Sequence, residues 1–288
     1  MKVARTPAEL GGGPRAVALG TFDGVHLGHR RVIETALSAG PEPTVVTFDP
    51  HPRTALGNRV ELLTSLERRL ELLQELGVEA TLVVEFTLDL ARLEPEEFAE
   101  EVLRPIGAEV VVAGEDFRFG RGRAGDMELL SRLGFETLPV PILVGVSSSR
   151  IRELLAEASV EGAARLLGRP IAVEGTVVTG DARGGTLGFP TANLDVRPEL
   201  LVPANGIYAG AAGEHRAAVS IGTNPHYGGR ERRVEVHLLD FSGDLYGRQL
   251  VVELWQRLRD EQAFETEDDL IAQIGRDVEA ARRAESPA

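Results

Sequence analysis

The sequence predicts two domains of different class: an open, doubly wound α/β sheet, then a small antiparallel β-barrel closed by a C-terminal helix. Up to about residue 142, apolar runs of strand length alternate with stripes at helical spacing, the order that a parallel sheet requires. Beyond the breakers Gly168-Arg-Pro170 the pattern changes to short β-like segments separated by Gly and Asn turns, at 171–179, 206–212, 216–222, 233–241 and 249–256. The boundary is therefore placed at Gly168, giving domains 1–168 and 169–288. A chain of 288 residues with 43% hydrophobic residues can fill two ordinary cores.

In the first half, residues 1–15 end in Gly-Gly-Gly-Pro and read as a short lead. Ala16 to Leu19 reads as a buried strand, and Val32, Ile33, Ala36 and Leu37 mark an amphipathic helix. The turn between them holds Gly20, Thr21, Phe22, Asp23, Gly24, His26, Gly28 and His29. Its glycines let backbone approach a ligand, and the helix start offers N–H groups to an anion, so the turn is a candidate phosphate seat. It is neither a GxxxxGK loop nor a GxGxxG fingerprint. After the strand Thr44 to Phe48 comes Asp49-Pro-His-Pro-Arg53, whose prolines are expected to stop any helix and leave His51 and Arg53 on a rigid loop. Ligand loops gather at that edge of an open sheet.

Leucines at 66, 70, 73 and 76 form a helical stripe closed by Gly77, which reads as core without chemistry. A strand at 80–86, a helix at 94–103 starting on a proline, and a strand at 108–113 continue the alternation. The segment 114–126 then places Phe117 and Phe119 among Asp116, glycines and arginines. An exposed loop is one reading; planar side chains beside cations also suit a ring system that carries a phosphate. A last strand at 135–142 precedes Val146-Ser147-Ser148-Ser149-Arg150-Ile151-Arg152, which opens a helix. Serines cap well, but two arginines in a first turn oppose the helix dipole unless an anion offsets them.

Residues 151–167 read as two short helices. The second half begins with a strand and a glycine-dense stretch containing Gly180, Gly184 and Gly188, followed by Phe189-Pro-Thr191-Ala-Asn193. From Val234 to Phe241 apolar and polar residues alternate, putting Glu235 and His237 on one strand face. The closing helix is capped by Thr266, with Leu270, Ile271, Ile274 and Val278 expected on its buried face.

The order Asp23, His26, His29 resembles the HxGH signature of the nucleotidylyl-transferase superfamily, a Rossmann-like fold whose two histidines bind nucleotide phosphates and stabilise the transition state at the α-phosphorus. With its flanks, GTFDGVHLGH resembles the adenylyltransferase half of the bifunctional riboflavin kinase and FAD synthetase family. That resemblance extends to TFDPHPR around His51, to the GxDFxFGxxRxGD segment with Asp116 and Phe117, and to the SSS-Arg-Ile-Arg152 element. It implies that Gly20, Thr21, Phe22, Asp23, Gly24, Ser147 and Ser148 bind ATP, that His26, His29 and Arg152 are catalytic, and that His51, Asp116 and Phe117 line the flavin pocket. In the second half, the Gly180 to Asn193 stretch resembles the riboflavin kinase signature. This implies that Gly180, Gly184 and Gly188 fold over ATP phosphates, and that Thr191 and Asn193 coordinate magnesium, whose hard-oxygen preference fits a hydroxyl and an amide. It further implies that Glu235 is the base for the riboflavin 5′-hydroxyl and that Arg259 and Phe264 contact flavin. Two positions depart from the family pattern: Gly185 stands where arginine is usual, and His226-Tyr227 where Thr-Phe is common.

The implied reactions phosphorylate riboflavin to FMN with one ATP and adenylylate FMN to FAD with a second, releasing pyrophosphate. The rivals are a single-activity adenylyltransferase with a degenerate kinase domain, a non-catalytic flavin-binding module, and a metal hydrolase using His26, His29 and His51, which lacks a nearby acidic ligand set. A net charge of −14 spread along the chain argues against nonspecific nucleic-acid binding. The absence of cysteine excludes disulfides, thiolate metal sites and thiol nucleophiles. No apolar run approaches the ~20 residues of a membrane span, and the N-terminus has no signal-peptide core, so a cytoplasmic enzyme acting on small molecules, as a monomer or weak homo-oligomer, is expected.

Overall fold

The computed structural model describes residues 1–180, 187–223 and 232–287. By packing, the chain divides into Met1–Ser148 and Ser149–Ala288. The first unit is built on six strands: β1 (Lys2–Ala4), β2 (Arg15–Leu19), β3 (Thr44–Asp49), β4 (Ala80–Glu85), β5 (Ala108–Gly114) and β6 (Glu136–Val140). They form one sheet in the order β1-β4-β3-β2-β5-β6, with every pair parallel. β2 is buried along its whole length, as a strand covered by helices on both faces must be. The strand order reverses between β2 and β5, so the loops that leave these two strands flank the crevice where open α/β sheets bind ligands.

Three local expectations are corrected. The lead before β2 is structured: Lys2–Ala4 pairs with β4 at the sheet edge, and Pro7–Leu10 forms one helical turn, α1, capped by Thr6. The prolines after β3 do not stop a helix; Pro52–Ala55 is a helical turn, α3, because Pro52 sits at a first-turn position where a missing N–H costs nothing. The helix starting at Pro95 runs as an α-turn to Phe98 and continues as a π-helical turn, Ala99–Leu103. The strong stripes hold: α2 is Leu27–Ala39 and α4 is Leu66–Glu75, followed by α5 (Pro95–Phe98) and α6 (Met127–Arg132).

The second unit is a closed six-stranded barrel in the order β10-β11-β8-β7-β12-β9, antiparallel throughout. Its strands are β7 (Ile171–Val178), β8 (Ala192–Asp195), β9 (Gly206–Ala212), β10 (His215–Gly222), β11 (Arg233–Leu238) and β12 (Gln249–Arg259). β8 was not expected, since Ala-Asn-Leu-Asp has only one strongly apolar residue; its pairing with both β7 and β11 makes it a strand. Helices α7 (Ser148–Ala156) and α8 (Val160–Leu167) precede the barrel. Both are joined to it: Ala204 N–H donates to Leu155 O at 3.0 Å, and Arg257 N–H to the Glu161 carboxylate at 3.1 Å.

The closing helix, α9, is Glu267–Arg283, with the Thr266 hydroxyl accepting from Asp269 N–H as a cap. Its buried residues are Asp277 and Ala281, whereas Leu270, Ile271, Ile274 and Val278 are only half-buried, which corrects the face read from the apolar spacing. The cause is an ion pair: Asp277 accepts from Arg259 Nη2 at 2.6 Å and from Nε at 3.0 Å, and Gln273 adds a bond at 2.8 Å. Asp277→Ala strands this guanidinium, and the second unit is expected to lose about 3 kcal/mol or more. A urea midpoint unchanged from wild type would contradict that.

Candidate active sites in the two units

In the first unit, β2 ends at Leu19 and the next residues climb through a strained turn into α2. Phe22 and Val25 hold positive φ of 52° and 41°, at a cost of about 1–3 kcal/mol each that the surroundings must offset. The offset is visible. Asp23, 1% exposed, turns its carboxylate inward to accept from Leu63 N–H at 2.9 Å and Thr64 N–H at 3.2 Å. Gly24 N–H donates to the Thr64 hydroxyl, the Ser148 hydroxyl donates to Asp23 O at 2.9 Å, and the Thr47 hydroxyl donates to Thr21 O at 2.9 Å. Gly24 has φ of 83°, and a Cβ there would lie 2.7 Å from Leu63 Cδ1, so only glycine fits.

The two histidines emerge together. His26 is the N-cap of α2, its Nδ1 accepting from His29 N–H at 3.2 Å. Because Nδ1 accepts, the neutral ring carries its proton on Nε2, which makes that nitrogen a donor suited to a phosphate oxygen. The His29 ring stacks on it, with centroids 3.5 Å apart and planes within 14°, and Phe22 meets His29 edge-on at 5.4 Å. Phe22 is itself buried, so it walls the histidine pair. His51 repeats the device at the end of β3: it caps α3 through Nδ1, accepting from Arg53 N–H at 3.1 Å.

At the end of β5, Asp116 is exposed and Phe117 half-buried, its ring stacked 6.0 Å from Phe119. Phe119 in turn packs on Phe98 and pairs with Gly125, which ties the 114–126 loop to the core. Ser147 and Ser148 lie at the start of α7, Ser147 exposed and Ser148 bonded to the β2 turn. Of the two arginines expected in the first turn of α7, Arg150 falls there and is matched by Glu153 at 2.9 Å, whereas Arg152 is the fifth residue of the helix and half-buried in the second packing unit.

Sequence reasoning missed Arg69, on the helix read as core alone. It is 1% exposed, and its Nη1 donates to the Thr47 hydroxyl at 3.2 Å and to Phe48 O at 3.0 Å. Burial pulls its pKa below the ordinary arginine value, against the opposing pull of Asp23, Asp49 and Glu67. Through Thr47 it ties the end of β3 to the Thr21 carbonyl of the histidine turn. The signal was present: Arg69 stands three residues after Leu66 and four before Leu73, on the face that packs inward.

In the second unit, β8 and β11 bring the implied kinase residues to one surface. Glu235 lies directly across from Asn193 on β8 and from Ser220 on β10, so these side chains share a sheet face. His237 continues that face two residues on, Thr191 lies one residue before β8, and all are half-buried. A Cβ at Gly180 would fall 2.1 Å from the Asn193 amide nitrogen, so the glycine makes room for that side chain. Gly180→Ala is expected to displace Asn193 and cut kinase turnover by about 10²-fold, with the barrel's thermal midpoint little changed. Turnover equal to wild type would remove Asn193 from the site. Gly188 is exposed with φ of 86°. Gly184, Gly185 and the His226-Tyr227 pair lie outside the described residues.

Arg259 holds Asp277 and donates to Asp260 O at 2.8 Å, with its guanidinium 5.9 Å over the Phe264 ring. No group of three or more His, Cys, Asp or Glu able to hold a metal occurs among the described residues. Thr191 and Asn193 carry a hydroxyl and an amide oxygen, hard donors of the kind that magnesium takes.

Comparison with known proteins agrees with this two-unit arrangement. A family model described as FAD synthetase matches residues 12–147, and one described as riboflavin kinase matches residues 167–285. The bifunctional riboflavin kinase/FMN adenylyltransferase of Listeria monocytogenes is 38% identical, over 93% of this chain and 91% of its own. The protein of the same description from Escherichia coli is 37% identical, over 98% and 97%. A crystal structure titled macrolide-efflux protein, from Streptococcus pneumoniae, superposes with a TM-score of 0.87 at 31% identity, over 98% of this chain and 99% of that one. Among the described residues here, no helix is long and apolar enough to cross a membrane. With two relatives sharing more than a third of their residues along nearly its whole length, the chain belongs to the bifunctional riboflavin kinase/FMN adenylyltransferase family.

Proposed function

We propose that this transferase phosphorylates riboflavin to FMN with ATP and then adenylylates FMN to FAD with a second ATP, at separate sites. The observation that carries the reading is the coexistence of the stacked pair His26 and His29 at the switch point of one unit with Glu235 opposite Asn193 in the other. Adenylyl transfer is assigned to residues 1–168 and the kinase to residues 169–288, although packing divides the chain at Ser148. Arg152, which lies in the second packing unit, is assigned to adenylyl transfer from its place in the SSS-Arg-Ile-Arg152 element alone.

In adenylyl transfer, an FMN phosphate oxygen attacks the α-phosphorus of ATP, the bond from that phosphorus to the bridging oxygen breaks, and pyrophosphate leaves. His26, donating from Nε2, and His29 and Arg152 stabilise the charge on the phosphate oxygens. Gly20, Thr21 and Gly24 present backbone to the nucleotide. Phe22 and Asp23 act from beneath, as wall and anchor, and Ser147 and Ser148 complete the ATP-binding edge. His51, Asp116 and Phe117 receive the flavin. In the kinase, Glu235 accepts the riboflavin 5′-hydroxyl proton, the resulting oxygen attacks the γ-phosphorus, and ADP leaves. Gly180, Gly184 and Gly188 cover the phosphates, while Arg259 and Phe264 shape the flavin side. Thr191 and Asn193 would hold magnesium, which supplies neutralisation of phosphate charge when bound.

The substrates are small molecules. We infer a cytoplasmic enzyme that works without membrane, as a monomer or weak homo-oligomer, and the net charge of −14 argues against nonspecific nucleic-acid binding. Incubation with riboflavin, ATP and magnesium, followed by chromatographic separation of the flavins, tests the reading. FMN and then FAD should appear; conversion of supplied FMN alone would leave a single-activity adenylyltransferase, and flavin binding without turnover a storage module.

A further inference from the structure

His237 has no role in the proposed chemistry, yet it is fixed to the segment that carries Thr191 and Asn193. The β8–β11 ladder pairs Leu194 with Val234, Asn193 with Glu235 and Ala192 with Val236, and stops there. The next residue pair would be Thr191 and His237, but the chain ahead of Thr191 is Pro190, which has no N–H to extend a ladder. The His237 side chain takes over at that point: its Nδ1 lies 2.8 Å from Pro190 O. A carbonyl only accepts, so Nδ1 carries the hydrogen. Phe189 holds the same ring edge-on at 5.6 Å and 81°. One imidazole therefore grips both residues that lead into Thr191.

We propose that His237 is a positioning residue of the kinase site: its Nδ1–H pins the Pro190 carbonyl and thereby sets Thr191 and Asn193 against Glu235. The side chain lies on the same sheet face as Glu235, two residues along the strand, so its grip and the base share one rigid backbone. Without it, the strand end at Ala192 is expected to fray and Thr191 to lose its place, while the flavin side around β12 and Arg259 is untouched.

This inference rests on the kinase assignment, and the experiment separates the two. Kinase kinetics, ATP affinity measured without riboflavin, and riboflavin affinity measured without ATP are compared for wild type, His237→Ala, His237→Asn and His237→Gln. Asparagine places its amide N–H near the imidazole Nδ1 position; glutamine places it nearer Nε2. The expected result is a loss of about tenfold or more in kcat/KM for ATP in His237→Ala. Riboflavin affinity should stay at the wild-type value, ATP affinity should fall, and His237→Asn should recover most of both losses while His237→Gln does not. A ¹⁵N spectrum of labelled wild type should show His237 protonated at Nδ1. If alanine matches wild type, if asparagine and glutamine behave alike, or if Nδ1 is unprotonated, the role is overturned. Should alanine fail to fold, the asparagine–glutamine difference still decides. Wild type that binds riboflavin without phosphorylating it would overturn the kinase assignment instead.

Discussion

His29→Ala is expected to stop FAD formation and leave FMN accumulating from riboflavin. The side chain is lost, but its backbone N–H remains to satisfy His26 Nδ1, so the cap of α2 and the strained turn survive. What disappears is an imidazole stacked 3.5 Å from His26 and braced by Phe22, which on the proposed chemistry would meet the charge that grows on the phosphate in the transition state. Removing one such group costs about 10²–10³ in turnover. The kinase belongs to the other unit and should keep its wild-type rate. Flavin analysis after reaction with riboflavin and ATP measures both at once; FAD produced at the wild-type rate would exclude the histidine pair from the chemistry.

Glu235→Ala is expected to do the reverse. Riboflavin should remain unphosphorylated, with a loss of about 10²–10⁴ in kinase turnover, while supplied FMN is still converted to FAD. The substitution falls on a half-buried position of β11, where the alternating inward residues Val234, Val236 and Leu238 carry the packing, so the barrel should keep its fold. Glu235→Gln, which keeps the shape and removes the base, should show the same loss. Kinase activity surviving in both variants would move the proton acceptor elsewhere.

Legibility followed the reach of the interactions. The histidine turn could be read because its chemistry is local: a buried strand, glycines, two imidazoles and a helix start occupy consecutive residues. The kinase face was half legible, since Glu235 and His237 alternate along one strand, but β8 gains its identity only by pairing with β7 and β11. Arg69 was read as part of a core helix because the leucines at 66, 70, 73 and 76 carry the pattern there. Only the contacts with Thr47 and Phe48 make it a support of the histidine turn. Arg259 was assigned from a motif as a flavin contact, and the structure adds what no local pattern carries, its ion pair with Asp277 eighteen residues on. Pro52 misled for a different reason: its effect depends on which helical position it takes, and the first turn tolerates it.

The central claim is that one chain carries two ATP-consuming sites that work independently, each completed by its own residues. Mixing the two inactivated variants tests it most directly. His29→Ala alone should give FMN, Glu235→Ala alone should give neither product from riboflavin, and equal amounts together with ATP and magnesium should restore FAD. FAD absent from the mixture, with FMN formed and both proteins folded, would contradict the account.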